Sequence, residues 1–167
     1  MMWRPISAGC LLCTVAAVAV SPGYRSVKVD ATGRLHIELE SGRVFEPAMS
    51  KDQVAFDHPA ISPDRQTIGW LVLYAFPVPP GADYKPAPLA GALVLYRAGH
   101  IIQTFRPDQV FWDWHFVDGG KRVAYSTGPT HGGAAECVLR EIESGRVIAR
   151  WRVKDKEPPA WARTLRH

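Results

Sequence analysis

Short stretches of this chain return further along it, and nothing else in it limits the possible folds as much. Asp52-Gln53-Val54 comes back as Asp108-Gln109-Val110, 56 residues on, and Asp57 comes back as Asp113 at the same offset. Ile61-Ser62-Pro63-Asp64-Arg65-Gln66-Thr67-Ile68-Gly69-Trp70 returns loosely as the ten residues from Phe116 to Tyr125. Glu40-Ser41-Gly42-Arg43-Val44 returns unchanged as Glu143-Ser144-Gly145-Arg146-Val147, with a weaker copy at Arg97-Ala98-Gly99-His100-Ile101. A copied unit of this length, built from short apolar runs, points to stacked or radial β-sheet units.

The runs inside each copy read as strands. Leu35, Ile37 and Leu39 alternate with His36, Glu38 and Glu40, the pattern of a half-buried strand. Ser41-Gly42 turns the chain, since glycine tolerates a positive φ. The first full unit has strand a at 54–57 and a Pro-fixed turn at 62–65. Its strand b at 67–76 is strongly apolar and central. A five-proline loop at 77–88 leads to strand c at 92–96 and strand d at 101–105. The second unit repeats this at 110–116, 122–126, 135–142 and 147–153, with its b–c loop at 127–133. The expected organisation is a signal peptide at 1–19 and a repeated β-sheet domain at 20–153. That domain holds a three-strand meander at 24–46 and blade-like units at 54–106 and 110–153. A C-terminal tail follows at 154–167, where Pro158-Pro159 opens a short helix at 160–166.

The segment Ile61 to Trp70 resembles the Ser-Pro-Asp-Gly-Lys/Arg-x-Ile/Val-Ala strand-turn-strand of WD40-like repeats in TolB-type bacterial β-propeller proteins. Phe116 to Tyr125 is similar, with Gly119-Gly120 keeping the turn and Asp118 standing where proline would be. The Ser-Gly-Arg-Val turns are similar to the c–d hairpins of the same blades. The resemblance spans roughly residues 40 to 153. It implies an all-β fold of repeated four-stranded antiparallel meanders and suggests a cell-envelope binding role. Closed propellers have about four to eight blades, and two full units plus a meander are too few. Three arrangements remain open: sandwich-like packing, an incomplete propeller whose tail covers an edge, or assembly of several chains.

The start of the chain reads as an export signal. Met1-Met2-Trp3-Arg4 is positive, 6–20 is apolar and uncharged, and Ala17-Val18-Ala19 is a small-x-small cleavage site. The apolar stretch is short of the roughly 20 residues a spanning helix needs, and a retained tether is the alternative. Cleavage removes Cys10 and Cys13, leaving Cys137 as a small core residue of the mature chain. There is no Asn, and 14 Arg face 6 Lys, a bias that fits a GC-rich bacterial genome. The net charge of +4 is scattered, so no basic patch points to nucleic acid. The expected location is periplasmic or secreted. The expected partner is a protein or small molecule of the cell envelope, with homo-oligomerisation open and no cofactor implied.

In a four-stranded meander alternate connections share an end. Loops 77–88 and 127–133 and the links 46–51 and 106–107 therefore belong to one face. Irregular backbone and polar side chains converge there, and Tyr84, Lys85, Thr130 and His131 are the candidate binding residues. Strand alternation puts Phe111, Asp113, His115 and Val117 on one face and the packing aromatics Trp112, Trp114 and Phe116 on the other. Asp113 and His115 with His131 would make a two-His, one-carboxylate set, the basis of an alternative reading as a small metal-dependent or hydrolytic enzyme. The recurrence of Asp57 and Asp113 argues instead for an acceptor of backbone N–H groups. Alternation separates the side chains of Asp57 and His58, and His36 and His100 read as solvated. Gly-x-Ser-x-Gly, phosphate loops and His-Glu-x-x-His are absent. The expectation is a binding module whose loops form its working face.

Overall fold

The computed structural model describes residues 23–166 apart from Pro79, Ala82, Tyr84, Lys85 and Lys156. The export signal expected at 1–19 and the candidates Tyr84 and Lys85 therefore lie outside the described residues. The rest is an all-β structure of antiparallel meanders. β1 (Tyr24–Val29), β2 (Leu35–Leu39) and β3 (Val44–Phe45) form a three-stranded sheet. β4 (Gln53–Ile61), β5 (Thr67–Tyr74), β6 (Leu89–Arg97) and β7 (His100–Phe105) form the first blade. β8 (Val110–Val117), β9 (Arg122–Gly128), β10 (Glu136–Glu141) and β11 (Val147–Arg152) form the second.

The sheets pack face to face in chain order, because the central strands are apolar on both sides. In β5, Ile68, Trp70 and Val72 join Tyr24, Leu35 and Ile37 in a core between the meander and the first blade. The alternate residues, Leu71 and Leu73, face the second blade and join Leu93, Phe111, Trp114 and Tyr125 in a second core. The row then ends differently on its two sides. The meander turns polar groups outward: Arg25 pairs with Glu38, and His36 bridges Asp30 at 2.8 Å and Glu46 at 3.1 Å. That bridge corrects the reading of His36 as solvated. The second blade instead carries an apolar outer face of Ala124, Cys137, Leu139 and Trp151. The C-terminal tail covers it with Trp161, Ala162 and Leu165, around a 3-10 turn at Ala160–Ala162. The tail thus closes a face of the row rather than an edge, since only that face is apolar enough to hold it.

The repeated turns explain the alignment of the blades. Ser62 Oγ accepts the Thr67 N–H and donates to the Thr67 carbonyl, both at 2.9 Å, and Asp64 Oδ1 accepts the Gln66 N–H. Arg65 takes φ +59°, a left-handed conformation, at the place where the resembled motif has glycine. Its side chain reaches out of the blade, donating to Glu40 at 3.1 Å and to the Arg25 carbonyl at 2.9 Å. The matching turn of the second blade lies directly against this one. A Cβ on Gly120 would come within 2.9 Å of Ser62 Cβ. At the same end Arg97 pairs with Glu143 across the blades.

Two bulges break strand alternation where it matters. Between Phe111 and Asp113 the β8–β9 register shifts. Phe111 is thereby carried to the side of Trp114 and Phe116, not of Asp113 and His115 as simple alternation gives. Between Asp57 and Ala60 the β4–β5 register shifts again, with His58 at φ +47°.

Candidate functional site

Pairing the blades leaves a cleft of about 490 Å³ at the b–c loop end of their interface. β5 and β6 provide Leu71, Leu73 and Ala90, and the start of β8 provides Val110, Phe111 and Trp112. The first b–c loop adds Phe76 and Pro86 to Pro88, and the second adds Thr130 and His131. Both b–c loops therefore meet on one cavity. Its polar rim is completed by Asp57, His58 and, from the tail, Arg166. The volume lies in the range of small-ligand sites, about 300–1,000 Å³, and the mix of apolar wall and few polar groups is of that kind.

The neighbouring polar groups fall into a satisfied set and an unsatisfied one. Asp113 Oδ1 accepts the N–H of the following residue, Trp114, at 2.8 Å, and Oδ2 accepts the Arg166 N–H at 3.1 Å. His58 Nε2 approaches the same carboxylate at 3.4 Å. Asp113 thus acts as the backbone acceptor expected of it, whereas Asp57, for which the recurrence implied the same role, accepts no hydrogen bond among the described residues. The Arg166 carbonyl in turn accepts from Ser126 Oγ at 2.9 Å, so both sides of this backbone unit are held on the second blade. By contrast, the side chains of Asp57, His131 and Arg166 take part in no hydrogen bond or ion pair among the described residues. The Trp112 Nε1–H is buried without an acceptor among them.

The residues proposed to hold a metal are divided between two places. Asp113 and His115 face the tail, where His115 Nε2 lies 3.5 Å from Thr164 Oγ1, while His131 lines the cleft. Among the described residues no three His, Cys, Asp or Glu side chains are grouped to hold a metal ion. Burial pushes the His115 imidazole pKa below its ordinary value, against the pull of the Asp113 charge and the Trp161 backbone. A half-buried histidine under the tail is a packing group.

Sequence reasoning found Thr130 and His131 and passed over Asp57, His58, Trp112 and Arg166 as cleft residues. Pro59 was the available signal for the first pair. A proline inside a strand marks an edge or a bulge, and β4 is an edge strand bulged at that point, which brings both Asp57 and His58 to the cleft. Arg166 reaches the site only through docking of the tail, which leaves no local pattern.

A second cavity of about 410 Å³ opens elsewhere on the same interface, lined by Arg106, Arg140, Arg150 and Glu136. Its cations are already engaged: Arg140 donates to the Tyr125 hydroxyl at 2.8 Å, Arg150 pairs with Glu136, and Arg106 donates to the Tyr74 hydroxyl. The first cleft is therefore the better candidate.

No protein-family signature and no curated protein matches the chain. Among solved structures it is similar to the Myceliophteria thermophila Cps50 (Swd1) β-propeller domain, at 12% identity and a TM-score of 0.45. That match covers 82% of this chain and 43% of the other. It is also similar to a putative 6-phosphogluconolactonase from Bacteroides fragilis, at 12% identity and a TM-score of 0.34, covering 76% of this chain and 56% of that one. The chain thus spans less than two thirds of the length of either. The strand order and face-to-face packing define an all-β protein of propeller-blade-like units with a cleft between two of them.

Proposed function

We propose that this chain is an exported binding module of the bacterial cell envelope, and that its ligand or partner group enters the cleft between the two blades. The observation that carries the reading is the convergence of both b–c loops on one largely apolar cavity whose rim holds unengaged polar side chains. Export rests on the charged start, apolar run and small-x-small site of residues 1–19. The enzyme alternative draws no support from the geometry, because Asp113 is consumed by backbone contacts and lies apart from His131.

Two experiments test the proposal. Thermal shifts with a panel of small probes, run beside the cleft-plugging Ala87→Trp variant, examine binding; Ala87 is exposed on the cleft wall. Stabilising probes that lose their effect in the variant support the site, and probes that act equally on both forms place binding elsewhere. Intact mass of the protein from fractionated cells examines export. Protein lacking about the first nineteen residues outside the cytoplasm is expected; full-length protein in the cytosol contradicts it.

A further inference from the structure

We propose that the cleft takes a short zwitterionic ligand with apolar side chains, a free apolar amino acid or di- or tripeptide, its ammonium group on Asp57 and its carboxylate on Arg166. The assignment rests on the cleft reading above and names the ligand class of that site.

The argument starts from charge. Asp57 and Arg166 both line the cleft, they carry opposite charges, and neither forms an ion pair among the described residues. They do not neutralise each other, since no pair within 4.0 Å joins them. The other local carboxylate, Asp113, is occupied by the N–H groups of Arg166 and Trp114 and by His58, so it does not compete for a ligand cation. A bound anion alone would use Arg166 but set a like charge near Asp57. A bound cation alone would do the reverse. A ligand carrying both charges satisfies both.

Shape and polarity agree. The wall of the same cleft includes Leu71, Leu73, Phe76, Pro88 and Phe111, suited to an aliphatic or aromatic side chain. Thr130 and His131 stand on the second loop as partners for a peptide group. Each added ligand residue separates the two termini by at most about 3.5 Å, so the best-binding length measures the gap between Asp57 and Arg166.

The test is isothermal titration of the purified protein with leucine, leucyl-phenylalanine and leucyl-leucyl-phenylalanine. The best of these is repeated as its N-acetyl form, its C-terminal amide and the doubly capped form, with dodecanoate alongside. Each cap is expected to weaken binding about ten- to a hundredfold. Asp57→Asn should abolish the penalty of acetylation alone, and Arg166→Gln that of amidation alone, in variants whose melting temperatures show them folded. Tighter binding of dodecanoate or of the doubly capped peptide overturns the ligand class and leaves the cleft reading standing. Penalties unchanged by the two variants overturn the assignment of the charges. Failure of every probe, charged and capped, overturns both readings.

Discussion

The indole of Trp114 stands on the bare backbone of Gly69, and this contact sets how closely the two blades approach. A Cβ built on Gly69 would fall 2.5 Å from Trp114 Cη2 and 2.8 Å from a Leu95 methyl. The same indole donates its Nε1–H to the His58 carbonyl at 3.0 Å, tying the seat of the ring to the bulge that lines the cleft. Gly69→Ala is expected to cost about 1–3 kcal/mol by overpacking, and Trp114→Ala about 3–5 kcal/mol by leaving a cavity. Urea denaturation measures both. A neutral Gly69→Ala would mean that the blades are free to separate at this point.

Arg65 combines a strained backbone with a useful side chain. Its φ of +59° would suit glycine, yet the guanidinium joins the first blade to Glu40 and to the Arg25 carbonyl in the meander. Arg65→Ala loses the bridge and keeps the strain, whereas Arg65→Gly loses the bridge and relieves it. The glycine variant should be the more stable of the two by about 1–2 kcal/mol. An alanine variant as stable as the glycine one would show that the turn relaxes away from the left-handed conformation.

Tail docking has a chemical reporter. Cys137 is fully buried in the cluster with Ala162 and Leu165. Burial, aided by the Glu136 charge, pushes its thiol up to about 11. Iodoacetamide should therefore label this residue very slowly in the native protein. Leu165→Ala, expected to cost about 2–5 kcal/mol, should loosen the tail and speed labelling of the Cys137 peptide, followed by mass spectrometry. Unchanged labelling would mean that the tail does not shield the thiol.

The same docking should weaken in acid. Burial lowers the folded-state pKa of His115, so between that value and its ordinary 6.5 the unfolded chain binds more protons. Stability contributed by neutral His115 is full above 6.5 and is lost as pH falls through the interval below it. The groups packed near it are Asp113, Thr164 and the Trp161 backbone. Thermal melts should lose more stability between pH 7.5 and 5.5 in the native protein than in His115→Gln. Equal losses would place the acid sensitivity elsewhere.

The succession of strands was readable because strand alternation and turn residues are local signals, and the recurring Asp-Gln-Val and Ser-Gly-Arg-Val segments showed which runs belong to equivalent sheets. The doubly apolar β5 likewise announced itself as a central strand packed on both faces. Reading failed where one residue changed the parity of a strand. The bulge near Trp112 moved Phe111 across β8, and the bulge around Pro59 brought Asp57 and His58 to the same cleft. The role of the tail was hidden for another reason. Its binding surface is assembled from β9, β10 and β11, so nothing within the tail itself names its partner.

The most direct measurement is amide chemical-shift mapping on the isotope-labelled protein, titrated with a mixture of apolar amino acids and dipeptides. The account predicts shifts concentrated at Asp57 and His58, Leu71 to Leu73, Val110 to Trp112 and Thr130 and His131, the walls of one cleft. Shifts centred on the polar outer face of the meander, or on the second cavity near Arg140 and Arg150, would contradict it.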